Sequence, residues 1–66
     1  MKVTINGDPA ELPEGATVGD AVRILTALTS GVAVAVNGEV VSRSAWESTR
    51  VEDGDGVEVL TAVQGG

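Results

Sequence analysis

The chain has 66 residues and a mass of 6.6 kDa, no cysteine, no histidine, a single tryptophan as its sole aromatic residue, and a formal net charge of −6. That composition excludes a disulfide framework, a thiolate nucleophile, a Cys/His zinc site and imidazole acid–base catalysis. Its basic residues, Lys2, Arg23, Arg43 and Arg50, are scattered rather than clustered, so neither nucleic acid nor an anionic membrane surface is an expected partner.

The length predicts one domain over residues 1–66, with a flexible tail at 64–66. Alternating valine-rich runs give the chain apolar surface for a core, which argues against disorder. Met1-Lys2-Val3-Thr4-Ile5-Asn6 lacks the apolar stretch of a signal peptide. No apolar run approaches the roughly 20 residues of a membrane span, so the expected location is cytoplasmic.

In chain order, residues 2–5 alternate polar and apolar, and Asn6-Gly7 is a strong hairpin signal. Residues 10–12 read as the returning strand, with Pro9 and Pro13 suited to an edge. Thr17 is a natural N-cap, with Asp20 placed to complete a capping box. Val18, Ala21, Val22, Leu25 and Leu28 follow the spacing of one helical stripe, which predicts a helix over 18–28 ended by Gly31. Val32 to Val36 is a buried-looking strand, and Asn37-Gly38 turns it back into Glu39-Val40-Val41. Residues 42–47 break the alternation as a turn or short helical segment, and Ser48 to Val51 reads as a brief strand. Glu52 to Gly56 is a turn, and Val57 to Val63 is the last strand. The order is hairpin, helix, hairpin, strand. It predicts an α+β fold of the β-grasp, ubiquitin-like kind: a mixed sheet of about four or five strands, one main helix on one face, and the last strand central beside the first.

Few motifs carry chemistry. Glu52-Asp53-Gly54-Asp55 lacks the alternating donors and distant bidentate Glu of a calcium loop and reads as a solvated turn. A phosphate-cradling loop is absent, because no glycine run leads into Lys-Ser or Lys-Thr. No metal site is expected. Trp46 reads as a packing residue. Of nine glycines, only Gly65 and Gly66 fall where neither turn nor cap is needed. Without Cβ atoms, such an end can thread a narrow channel in extended form and bring a bare carboxylate into another protein's active site.

Taken together, Val3-Thr4-Ile5-Asn6-Gly7, Val34-Ala35-Val36-Asn37-Gly38-Glu39-Val40-Val41, Arg43-Ser44 with Trp46, Asp53-Gly54-Asp55 and Thr61-Ala62-Val63-Gln64-Gly65-Gly66 resemble the ThiS family end to end. These are ubiquitin-like sulfur carriers of thiamine biosynthesis. The resemblance implies a protein co-substrate rather than an enzyme, with no bound cofactor and no catalytic residue of its own. Gly66 would be adenylated by an E1-like partner using ATP and Mg, then converted to a thiocarboxylate with sulfur from a persulfide donor such as a cysteine desulfurase or rhodanese-type domain. Thiazole synthase would consume that sulfur. Val63, Gln64 and Gly65 would form the tail entering the partner's active site. Alternatives that keep the same terminus are a carrier for another acceptor, such as molybdopterin synthesis, and a protein modifier forming an isopeptide through Gly66. Alternation in the last strand further predicts that Val57, Val59 and Val63 face the helix. Leu60 and Ala62 then face outward beside Ala33 and Ala35, as an apolar docking patch.

Overall fold

The computed structural model describes residues 1–27 and 31–61. Its strands are β1 (Lys2–Ile5), β2 (Asp8–Glu11), β3 (Val32–Val36), β4 (Glu39–Val41) and β5 (Gly56–Thr61), with one helix, α1 (Val18–Leu25), and a 3-10 turn at Arg43–Ala45. All five strands form one sheet in the order β2-β1-β5-β3-β4. β5 runs parallel to β1 and antiparallel to β3, and both outer pairs are antiparallel hairpins. This is the predicted β-grasp, with the last strand central.

Both hairpins close through Asn-Gly turns in which each residue has positive φ: 52° and 86° at Asn6-Gly7, 50° and 86° at Asn37-Gly38. Turns of that hand follow the right-handed twist of the strands they join. The first return strand begins two residues earlier than predicted, at Asp8, and so includes Pro9. Ring closure at Pro9 removes a backbone donor. Because Leu12 and Met1 exchange backbone bonds (Leu12 N–H to Met1 O, 2.9 Å), the alternate position Pro9 points its backbone away from β1, where a missing donor breaks no ladder bond.

The helix starts as predicted. The Thr17 hydroxyl accepts from the Asp20 N–H (3.3 Å), and the Asp20 carboxylate accepts from the Thr17 N–H (2.9 Å). The next free donors go to a single neighbouring segment: Val18 N–H to Thr49 O (2.8 Å) and Gly19 N–H to Trp46 O (3.1 Å). A Cβ at Gly19 would meet the Glu47 carboxylate, the far end of an exposed side chain that would have to shift to admit it. Val18, Ala21 and Val22 are buried against the sheet. The helix then ends at Leu25, short of the predicted 28. Thr26 is already extended, and its N–H closes the last turn on Val22 O (3.0 Å). Leu25, expected on the buried stripe, is half exposed. The physical reason is that Leu25 already lies off the core at 49% exposure, and β-branched Thr26 favours extended backbone. Leu28 lies outside the described residues.

The predicted strand at Ser48 to Val51 is only an isolated bridge, Arg50 to Thr17. Its backbone serves the helix start, and Val51 is buried. Trp46 is buried too: its indole N–H donates to Val41 O (3.1 Å), and the Arg43 guanidinium lies 4.8 Å above the ring centre. With Val3, Ile5, Leu12, Ala16, Val34, Val57 and Val59, these side chains form one core between helix and sheet.

On the helix surface Arg23 bridges two acids, donating to Asp20 (2.9 Å) and to both oxygens of Glu47 (2.8 and 3.1 Å). The Thr17 backbone N–H, and then Arg23, hold the Asp20 carboxyl below the usual carboxylate range. Arg23 does the same for Glu47. A depressed folded pKa gives stability that is present above the unfolded value and lost as pH falls through the folded one. The thermal midpoint is therefore expected to fall on acidification below the ordinary carboxylate range. Arg23→Met should flatten that fall, and added salt should weaken the effect in the parent chain. Midpoints followed by circular dichroism against pH and salt would check this, and parallel curves for both proteins would contradict it.

Candidate functional site: the open sheet face and the end of β5

Alternation along β5 separates two faces. Val57 and Val59 point into the core, at 0% and 4% exposure, while Leu60 is 70% exposed. Strand register places Leu60 opposite Ala33 and Glu58 opposite Ala35, and residues directly opposite share a face. Ala33 is exposed and Ala35 partly so. The structure thus brings together three of the predicted patch residues, Leu60, Ala33 and Ala35, on the face away from α1. Ala62, Val63, Gln64, Gly65 and Gly66 lie outside the described residues.

One member was missed. Val40 is opposite Ala35 and 81% exposed, more than any other large apolar residue among the described residues. Its place could have been found: a two-residue turn at Asn37-Gly38 pairs Val36 with Glu39, hence Ala35 with Val40. The resulting surface is Leu60, Ala33, Ala35 and Val40 with Glu58 among them. Beside it, Gly31, Val32, Ala33, Leu60 and Thr61 line an open depression of about 330 Å3 where β5 leads on towards the C-terminus.

Carboxylates at the other end of β5 are used by the backbone. The Asp53 carboxylate accepts from Lys2 N–H (2.7 Å), and Asp55 accepts from Glu52 N–H (2.8 Å) and from the Asn37 amide (3.0 Å). Gly54 supplies the positive φ of 89°. This is the turn the sequence predicts. Among the described residues no group of three or more acids gathers to hold a metal ion, and no helix is long and apolar enough to cross a membrane.

A last strand at the centre of the sheet, a mixed sheet in this order and a helix over one face define a ubiquitin-like β-grasp protein. The sequence profile of the ThiS family matches residues 3–66, and the chain belongs to that family. Over all 66 residues of both chains it is 29% identical to the sulfur carrier protein ThiS of Escherichia coli K12. It is similar to the crystal structure of the thiamine biosynthesis protein ThiS from Geobacter metallireducens, at a TM-score of 0.80 and 39% identity with both chains fully covered. The solution structure of a thiamine biosynthesis protein from the same organism gives 0.78 and 38%, covering all of this chain and 88% of that one. The family is one of small sulfur carriers in thiamine biosynthesis, not of catalysts.

If the Leu60 face is surface and the Val57 face is core, substitutions should separate them. Leu60→Asp is expected to cost less than about 1 kcal/mol, and Val57→Ala about 2 kcal/mol or more. Urea unfolding of the two variants would test the assignment, and equal losses would refute it.

Proposed function

We propose that the chain is a sulfur carrier whose reacting group is the Gly66 carboxylate, working for the thiazole of thiamine. The observation that carries this reading is the Gly65-Gly66 end following the central strand of a ThiS-family β-grasp. A carboxylate resists acyl transfer because oxide is a poor leaving group. Attack of a Gly66 oxygen on the α-phosphorus of MgATP, in the site of an adenylating partner, expels pyrophosphate and leaves an acyl-adenylate. A donor persulfide then displaces AMP to give an acyl disulfide, and a thiol cleaves its S–S bond to release the thiocarboxylate. Thiazole synthase would take the sulfur. The chain itself holds no cofactor on this reading. ATP and Mg belong to the partner, and the carrier has neither cysteine nor histidine with which to intercept its own activated end.

Val63, Gln64 and Gly65 serve as the thread into that site, since a slender end fits a narrow channel. Leu60, Ala33, Ala35 and Ala62, joined by Val40, form the docking face. Apolar groups at the centre of a face are where binding energy concentrates.

Incubation of the full chain with ATP, an adenylating enzyme and a persulfide donor should raise its intact mass by the difference between sulfur and oxygen, and deletion of Gly66 should abolish the change. Attachment to a lysine instead would make it a protein modifier. Leu60→Asp should raise KM for the carrier in adenylation by about tenfold, the equivalent of 1.4 kcal/mol of contact. An unchanged KM would remove the patch from the docking surface.

A further inference from the structure

β1 supports β5 only as far as Ile5 opposite Val57. There the chain turns away through Asn6-Gly7, yet β5 continues to Thr61. The Asn6 side chain spans the gap. Its amide oxygen accepts from Val59 N–H (2.7 Å), and its amide nitrogen donates to Val59 O (3.1 Å), across 53 residues of sequence. The Asn6 backbone N–H meanwhile donates to Val57 O (2.8 Å). One residue thus holds two alternate positions of the central strand. A carboxamide can do this because, like a peptide group, it presents an N–H donor and a C=O acceptor in one plane. Val59 is 4% exposed, so an unpaired backbone group there would lack water as a substitute.

The other turn asparagine is a natural counterpart. Asn37 accepts from Gly56 N–H (2.9 Å) and donates to Asp55 (3.0 Å). It therefore holds the start of β5, whereas Asn6 holds the half that leads to the reacting terminus. On this comparison the geometry points to Asn6 as a positioning residue for the carrier reaction: its carboxamide stands in for a missing strand and fixes the line along which β5 delivers the C-terminal residues to an adenylating partner. The inference rests on the carrier reading above. Without the amide, β5 beyond Val57 would be held along one edge only, by its ladder with β3 out to Thr61 opposite Val32, so its direction would vary more, and apparent affinity falls with the fraction that keeps the competent direction.

The test compares Asn6→Gly with Asn37→Gly, because glycine keeps the positive φ of both turns and removes only the side-chain bonds. In steady-state adenylation followed by ATP–pyrophosphate exchange, Asn6→Gly should raise KM for the carrier about tenfold with kcat nearly unchanged, and Asn37→Gly should leave KM within about twofold of the parent. Amide exchange at Val59 should accelerate in the first variant alone. Equal KM effects in the two variants, or a parental KM in Asn6→Gly, would overturn the inference, since a general loss of stability moves both alike. Should Asn6→Gly fail to fold, Asn6→Asp keeps the acceptor but not the donor, and it must still raise KM for the inference to stand. Failure of the parent chain to be adenylated at all would instead overturn the carrier reading, an outcome separate from either variant's behaviour.

Discussion

The fold depends on one strand being hydrogen-bonded along both edges. β5 lies between β1 and β3, and its inward valines, Val57 and Val59, form the floor on which α1 rests. The two neighbouring strands come from opposite ends of the helix, so the sheet cannot be completed until the last segment enters it. Such a topology makes the last strand of the chain also the strand that closes the structure. It is secured at its start and at its middle by groups drawn from the turns: Asn37 at Gly56 and Asn6 at Val59. Each asparagine therefore acts twice, setting a left-handed turn with its backbone and pairing a distant strand with its side chain.

Much of this was legible in the chain's pattern because the signals were local. Both Asn-Gly dipeptides marked hairpins, and the capping box from Thr17 to Asp20 is a spacing of three residues. Alternation in residues 57–61 sorted inward valines from outward Leu60. The misreadings arose where tertiary contacts decided. A helical stripe running on through Leu25 is a local pattern, but how far the helix runs depends on the packing beneath it, and Leu25 is already half exposed. Ser48 to Val51 reads as a brief strand, yet its backbone bonds to the helix start, Thr49 O to Val18 N–H and Val51 N–H to Ala16 O, instead of a ladder. The bonds from Asn6 to Val59 connect positions that no short window contains.

For the site the division is similar. Gly65-Gly66 stands out in the sequence because neither a turn nor a cap is needed there, and the chemistry proposed for it rests on the ThiS family match. Leu60, Ala33 and Ala35 were found by alternation. Val40 needed the hairpin register to be carried one strand further.

The edges of this sheet bear on what the exposed apolar face can do. β4 is three residues long, and β2 presents Pro9 on its outer side, so neither border is a good template for another strand. Association through the borders is what turns sticky sheets into growing fibres. With the borders blunted, Leu60 and Val40 can stay uncovered while a second molecule has only the flat of the sheet to grip. Contacts made there are finite and come apart face from face, which suits a protein that must pass from one partner to the next.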